Sequence, residues 1–172
     1  MKTLRTICLL LVALAIIKVT AYSAPKDPTA IYKAGEVQVQ AIAFTETPNF
    51  KDFDSGGGAA VTYWVTKNIG AGFEAKTKDT HNAFFDALGF NVAGRLPIAG
   101  GFAPFAKVGF DWDAEASSHS QTRNEFDLYV GAGIEKRFSH GIGLGVEARI
   151  VRDYEFERNE RYQFSAFVSK AF

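Results

Sequence analysis

Five charged residues stand in the middle of alternating stretches rather than in polar runs: Glu74, Lys76, Lys107, Glu147 and Arg149. Carboxylates and cations so placed could move protons, hold a metal or pair with one another. A serine hydrolase needs Ser, His and an acid held rigidly within hydrogen-bond reach. Ser and His crowd together only at Ser117-Ser118-His119-Ser120, a polar run with the character of a loop tip. His81 and His140 fall in other polar segments, and three scattered histidines without a nearby cysteine do not make a zinc site. Gly56-Gly57-Gly58 opens a strand-like stretch rather than a helix, so it is not a phosphate loop. No catalytic, metal or cofactor-binding residue is assigned, and the chain is read as a non-enzyme. The chemistry left for the five charges is an ionic network among themselves.

The elements that carry them are strands. Eight stretches alternate apolar and polar residues, the period at which successive side chains leave a strand on opposite faces. They are Glu36 to Phe44, Gly57 to Lys67, Ala71 to Lys78, Ala83 to Arg95, Gly101 to Asp113, Glu125 to Phe138, Ile142 to Tyr154 and Tyr162 to Phe172. The fifth is the clearest, with Phe102, Ala106, Val108, Phe110 and Trp112 against Ala103, Phe105, Lys107, Gly109 and Asp111. The connections after the second, fourth and sixth strands are short, whereas Thr45 to Gly56, Thr77 to Asn82, Ala114 to Asn124 and Glu155 to Glu160 are polar and mostly longer. Short and long connections in alternation describe an up-and-down barrel with turns at one end and loops at the other.

The two ends of the chain agree with that reading. Lys2 and Arg5 precede an apolar run from Ile7 to Ile17, and Val19-Thr20-Ala21 supplies small residues, so residues 1–21 read as a signal peptide, with cleavage after Ala21 or Ser23. The run is shorter than the roughly 20 residues of a membrane-spanning helix. Residues 22–35 form a polar, proline-containing lead-in expected to be flexible, and residues 36–172 form one domain. Cys8 is the only cysteine and lies in the signal segment, which excludes a disulfide in the mature chain. Removing Lys2, Arg5 and Lys18 from 19 basic residues leaves 16 against 19 acidic, a net charge of −3, which argues against nucleic acid as a partner.

At the other end, Tyr162, Phe164, Ala166, Val168 and Phe172 share one parity, and the chain stops on the phenylalanine. In this the sequence resembles the small outer-membrane β-barrel family, the OmpA- and OmpX-like proteins; Lys170 departs from the pattern, where an apolar residue is expected. The resemblance implies an all-β, eight-stranded antiparallel transmembrane barrel in the bacterial outer membrane, with both termini periplasmic. It implies that Tyr162, Phe164, Val168 and Phe172 form the signal read by the barrel-insertion machinery. It also implies a structural or surface-interaction role, with an extracellular ligand at the external loops, Thr45 to Gly56 and Ala114 to Asn124.

Alternation alone does not say which face is outside. A soluble lipocalin-like barrel points its apolar face at a ligand cavity. Charges of both signs at mid-strand, aromatics at the strand ends (Tyr63, Phe110, Trp112, Tyr154, Tyr162 and Phe172) and glycines on the polar parity of the sixth and seventh strands favour a polar lumen and a lipid-facing exterior. Glu74, Lys76, Lys107, Glu147 and Arg149 would then form a lumenal ionic plug. On this reading Gly131→Ser is expected to be milder than Val130→Arg, which puts a charge into lipid. The competing function is a narrow ion channel through the same lumen.

Overall fold

The computed structural model describes residues 31–48, 50–78, 87–115, 123–153 and 160–172. Eight strands follow in order: β1 (Glu36–Thr47), β2 (Asp54–Trp64), β3 (Ile69–Lys78), β4 (Ala87–Arg95), β5 (Phe102–Glu115), β6 (Arg123–Arg137), β7 (Ile142–Asp153) and β8 (Glu160–Ala171). Each pairs antiparallel with its sequence neighbours, and β8 closes onto β1 through the register Gln38↔Ala171 to Thr47↔Tyr162. Closure leaves no free sheet edge, so every strand has ladder partners on both sides.

Several strands run further than alternation alone shows. Thr45↔Ser55 and Glu46↔Asp54 still pair, so the first loop is residues 48–53 rather than Thr45 to Gly56. Glu115↔Arg123 pairs as well, so both ends of the stretch Ala114 to Asn124 are strand, and residues 116–122 lie outside the described residues. Hydrophobic patterning fades at these strand tips while backbone pairing continues. The β2–β3 turn falls at residues 65–68, earlier than expected, because the Thr66 hydroxyl accepts from the amides of Asn68 and Ile69. The expected start of β4 at Ala83, together with Asp86, Tyr154, His81 and the Ser117–Ser120 run, lies outside the described residues.

The exterior and interior are inverted relative to a soluble protein. Val130 is 61% exposed, Phe73 68% and Val108 55%, whereas Arg137, Gln38 and Asn91 are each 1% exposed. Large apolar side chains point outward from all eight strands. A soluble monomer rarely exposes an apolar patch of more than a few hundred Å², and an apolar outer band around a polar interior is what a bilayer requires. A lipocalin-like arrangement needs the opposite assignment.

The lead-in is tied down where it meets the barrel. Gly35 donates its amide to the Trp64 carbonyl at 2.7 Å, the Lys33 amide donates to Glu36, and Tyr32 is buried with its hydroxyl donating to the Gly101 carbonyl at 2.9 Å. Residues 31–35 are therefore part of the barrel's turn end and not a free tail.

Candidate functional site

Among the described residues the inward parity builds three layers of ion pairs, stacked from the turn end to the loop end. The middle layer joins opposite walls. Arg149 on β7 reaches across to Glu74 on β3, forking onto both carboxylate oxygens, one at 2.9 Å. It also holds Glu147 through Nε at 2.5 Å, and Lys107 on β5 donates to the same carboxylate at 3.0 Å. Lys76 sits 3.4 Å from Glu74 and 2.5 Å from Asp111. All five residues singled out in the sequence meet in this layer. Asp111 and Tyr129 belong to it too. Asp111 closes the charge balance at three acids and three cations, and the Tyr129 ring lies 4.6 Å from the Arg149 guanidinium. Their inward parity was visible in the sequence; their partners were not.

The turn-end layer is built from residues that sequence reasoning left out. Glu36 accepts from Arg95 and from Arg137, each at 2.6 Å. Glu135 accepts from Arg137 at 3.3 Å, Gln38 at 2.7 Å and Ser169 at 2.6 Å. The Trp64 ring lies 3.7 Å from the Arg95 guanidinium, and its Nε1 donates to Gln38. Tyr32 caps the layer, its ring 4.7 Å from Arg95 and 4.3 Å from Arg137. Burial pushes the Tyr32 phenol well above its ordinary pKa, with the nearby Glu135 charge adding to this, so it stays a protonated donor.

The loop-end layer is looser. Glu46 accepts from Arg161 at 3.0 Å and from Lys78 at 3.3 Å, and Arg161 also pairs with Asp127. Both cations are partly open to water, while the turn-end arginines are not.

An apolar collar separates the lower two layers. Ile42, Ala60 and Phe167 pack together with Phe105, whose ring centroid is 5.9 Å from that of Phe167. Ile42, Phe44 and Phe167 lie on the inward parity, where the sequence reading stressed only polar residues. Two spaces in the lumen among the described residues, one beside the collar and one near the mouth, are each about the size of a single water molecule.

Glycines make room for these side chains. A Cβ at Gly131 would stand 2.7 Å from a Glu147 carboxylate oxygen and 2.8 Å from Arg149 Cγ. One at Gly145 would run into the Phe167 ring, and one at Gly89 into Asp111. The bulky inner groups are thus laid sideways over a bare neighbouring strand. Gly131→Ser, expected to be milder than Val130→Arg, therefore still carries a packing cost of its own: the added side chain meets the Glu147 carboxylate and the Arg149 stem.

On the outside, Lys170 shares the lipid-facing parity but donates to the His140 carbonyl at 2.5 Å, in the β6–β7 turn. A long aliphatic stem with its ammonium at the water boundary lets the lysine stand where an apolar residue was expected. Phe50, held in a left-handed backbone conformation (φ 59°), stacks on Tyr162 with ring centroids 4.7 Å apart. The first loop therefore leans over the outer wall at β8.

A closed eight-stranded barrel with paired charges inside and an apolar outer band defines the class: a barrel that sits in a lipid bilayer. Residues 8–169 match the family described as outer membrane protein beta-barrel domain, and the chain belongs to that family. Membership places it in the bacterial outer membrane. Among solved structures it is similar to Neisserial surface protein A, at 12% identity and a TM-score of 0.59, over 80% of this chain and 96% of that one. It is also similar to a de novo designed transmembrane β-barrel, at 18% identity and a TM-score of 0.56, over 81% of this chain and 98% of that one. At these identities the likeness concerns the fold. No curated protein matches the chain in sequence.

Proposed function

We propose that the protein is a sealed structural barrel of the outer membrane, with recognition carried by its longer connections. The middle ionic layer supports this most directly. Its three cations and three carboxylates pair with one another across the lumen, and the apolar collar lies directly below. Ions crossing the barrel would have to break buried pairs and then pass between packed rings. The same pairing leaves the inner carboxylates committed to structure rather than to acid–base catalysis, in keeping with a non-enzymatic role.

On this reading residues 1–21 are a cleaved signal peptide, both termini face the periplasm, and the loop end faces the medium with its ligand sites. Tyr162, Phe164, Val168 and Phe172 form the insertion signal; Phe164 and Phe172 are exposed on the outer wall, where assembly machinery could read them.

Planar-bilayer recording of the refolded protein tests the sealed lumen. The wild type is expected to show no sustained conductance. Glu147→Ala, which strips Lys107 and Arg149 of a partner, is expected to raise conductance and to lower thermal stability, while Ser118→Ala, in the polar run Ser117–Ser120, is expected to change neither. Steady wild-type conductance would favour the narrow-channel reading, and equal effects of the two substitutions would remove the plug.

A further inference from the structure

The first loop does not stand clear of the barrel end. Odd-numbered residues of β1 face outward, and Val37, Val39, Ala41 and Ala43 are exposed on the wall. Thr47 has the same parity but is wholly buried. Its hydroxyl accepts from the Phe50 amide at 2.8 Å, and its partner across the ladder is Tyr162, on which the Phe50 ring stacks. The loop therefore turns outward and lies over Thr47 and Tyr162 from the lipid-facing side. The Phe164 ring, one step further along the outer wall of β8, has its centroid 6.4 Å from that of Phe50.

This placement has a backbone cost. Phe50 lies in the left-handed region (φ 59°), where a bulky side chain is rare and persists only when its surroundings hold it. The Thr47 hydroxyl and the Tyr162 ring supply that hold. Even so, Phe50 stays 55% exposed. Phe53 is 56% exposed, and it precedes β2 on the outward parity of Ser55, Gly57, Ala59, Val61 and Tyr63. Lys51 and Asp52, between the two phenylalanines, are exposed as well. The loop thus has a charged tip flanked by two bare rings, and through Phe50 its apolar side is continuous with the wall at Phe164.

We propose that Phe50 and Phe53 anchor the first loop in the headgroup–acyl boundary of the leaflet at the loop end. The partner of this loop is the lipid surface itself. The inference rests on the reading of the outer wall as lipid-facing, and it narrows that of recognition by the longer connections: this loop is held at the membrane rather than presented to a ligand in the medium. At the boundary both rings are withdrawn from water while Lys51 and Asp52 keep their hydration, the division that an interfacial amphipathic segment makes. Continuity with Phe164 selects lipid over a soluble partner, because whatever covers the Phe50 ring also meets the acyl chains around Phe164.

Site-directed spin labelling tests this in the protein lacking residues 1–21, which has no native cysteine, refolded into vesicles of phosphatidylethanolamine and phosphatidylglycerol. Collisions of each label with oxygen, which partitions into lipid, are compared with collisions with a water-soluble nickel chelate. Val130→Cys marks the lipid-facing wall, and Asp54→Cys, exposed at the mouth, marks water. The balance of oxygen over nickel at Phe53→Cys is expected to lie nearer that of Val130→Cys than that of its chain neighbour Asp54→Cys. Phe50→Gly suits the left-handed backbone, so it removes the ring alone, and in that background the label at position 53 should lose its preference for oxygen. Heat-shifted gel mobility checks that each variant is a closed barrel. A label at position 53 that is as open to nickel as Asp54→Cys, with Val130→Cys still favouring oxygen, would overturn the anchor and leave the lipid-facing wall standing. An oxygen preference that survives Phe50→Gly would also overturn it, as would few collisions with either reagent, since protein, such as a second copy of the chain, would then cover the patch. A Val130→Cys label that favours nickel would overturn the lipid-facing wall first, and the anchor with it.

Discussion

The turn-end and loop-end ionic layers carry the same charge balance, two acids against two cations, yet they are finished differently. At the turn end Arg95 and Arg137 share Glu36, lie against Tyr32 and Trp64, and are screened from water on every side. At the loop end Lys78 and Arg161 share Glu46, but their side chains remain 33% and 23% exposed. Arginine's flat, multidentate fork suits a dry site closed by aromatic rings, whereas lysine is a hydrated point charge. One end is a fixed base, and the other is a mouth whose charges can still exchange partners with water.

That difference should appear first as energy. Arg137→Ala leaves Glu36 with Arg95 as its one cationic partner and Glu135 with only neutral ones in a dry site, and breaking such buried pairs typically costs about 3–5 kcal/mol. Lys78→Ala removes a partly hydrated cation from a carboxylate that keeps Arg161, and pairs of that kind contribute about 0.2–1 kcal/mol. Urea unfolding in lipid vesicles is expected to show the larger loss for Arg137→Ala. Similar losses for both would mean that the two layers are equally dry and that the contrast between base and mouth is wrong.

The middle layer offers a smaller and more geometric test. Gly131→Ser must displace the Glu147 carboxylate or the Arg149 stem, and overpacking of this kind costs about 1–3 kcal/mol. Gly94 lies on the outward parity, with only the Asn68 carbonyl near a would-be Cβ, at 3.9 Å. Gly94→Ser is therefore expected to stay within about 0.5 kcal/mol of wild type. A tolerant Gly131 would show that the network has slack.

Alternation made the barrel legible because a strand has only two faces, and a lipid-facing wall demands apolar residues on one of them. Val130 and Arg149 could be sorted to opposite faces from the sequence alone. The same logic gathered Glu74, Lys76, Lys107, Glu147 and Arg149 but gave no account of which acid meets which cation. Pairing across a lumen depends on the shear of the closed barrel, and that shear is written in register, not in residue type. Ile42 and Phe167 were hidden for a related reason. A lumen rejects unpaired charge rather than apolar bulk, so an inward ring breaks no rule that alternation enforces. The turn-end layer was hidden for another: Glu36, Arg95 and Arg137 stand at strand boundaries, where patterning is weakest.

Tyr32 is the part of the base that sequence reasoning assigned to a free tail, and it divides cleanly into two contributions. Tyr32→Phe keeps the ring against Arg95 and Arg137 and removes only the bond to the Gly101 carbonyl, a loss of about 0.5–1.5 kcal/mol. Tyr32→Ala removes the ring as well. Desolvated cation–π contacts contribute up to about 2 kcal/mol, and here one ring serves two guanidiniums. Water would then reach Arg95 and Arg137 from the turn end, making the base resemble the mouth. Two measurements bear on this: vesicle unfolding of both variants, and labelling of Ser169→Cys by a water-soluble thiol reagent in the protein lacking residues 1–21, which has no other cysteine. Labelling should be slow with Tyr32 intact and in the Tyr32→Phe background, where an aromatic ring still covers the layer, and fast in Tyr32→Ala. Fast labelling with Tyr32 intact would show that the ring decorates the barrel end without closing it.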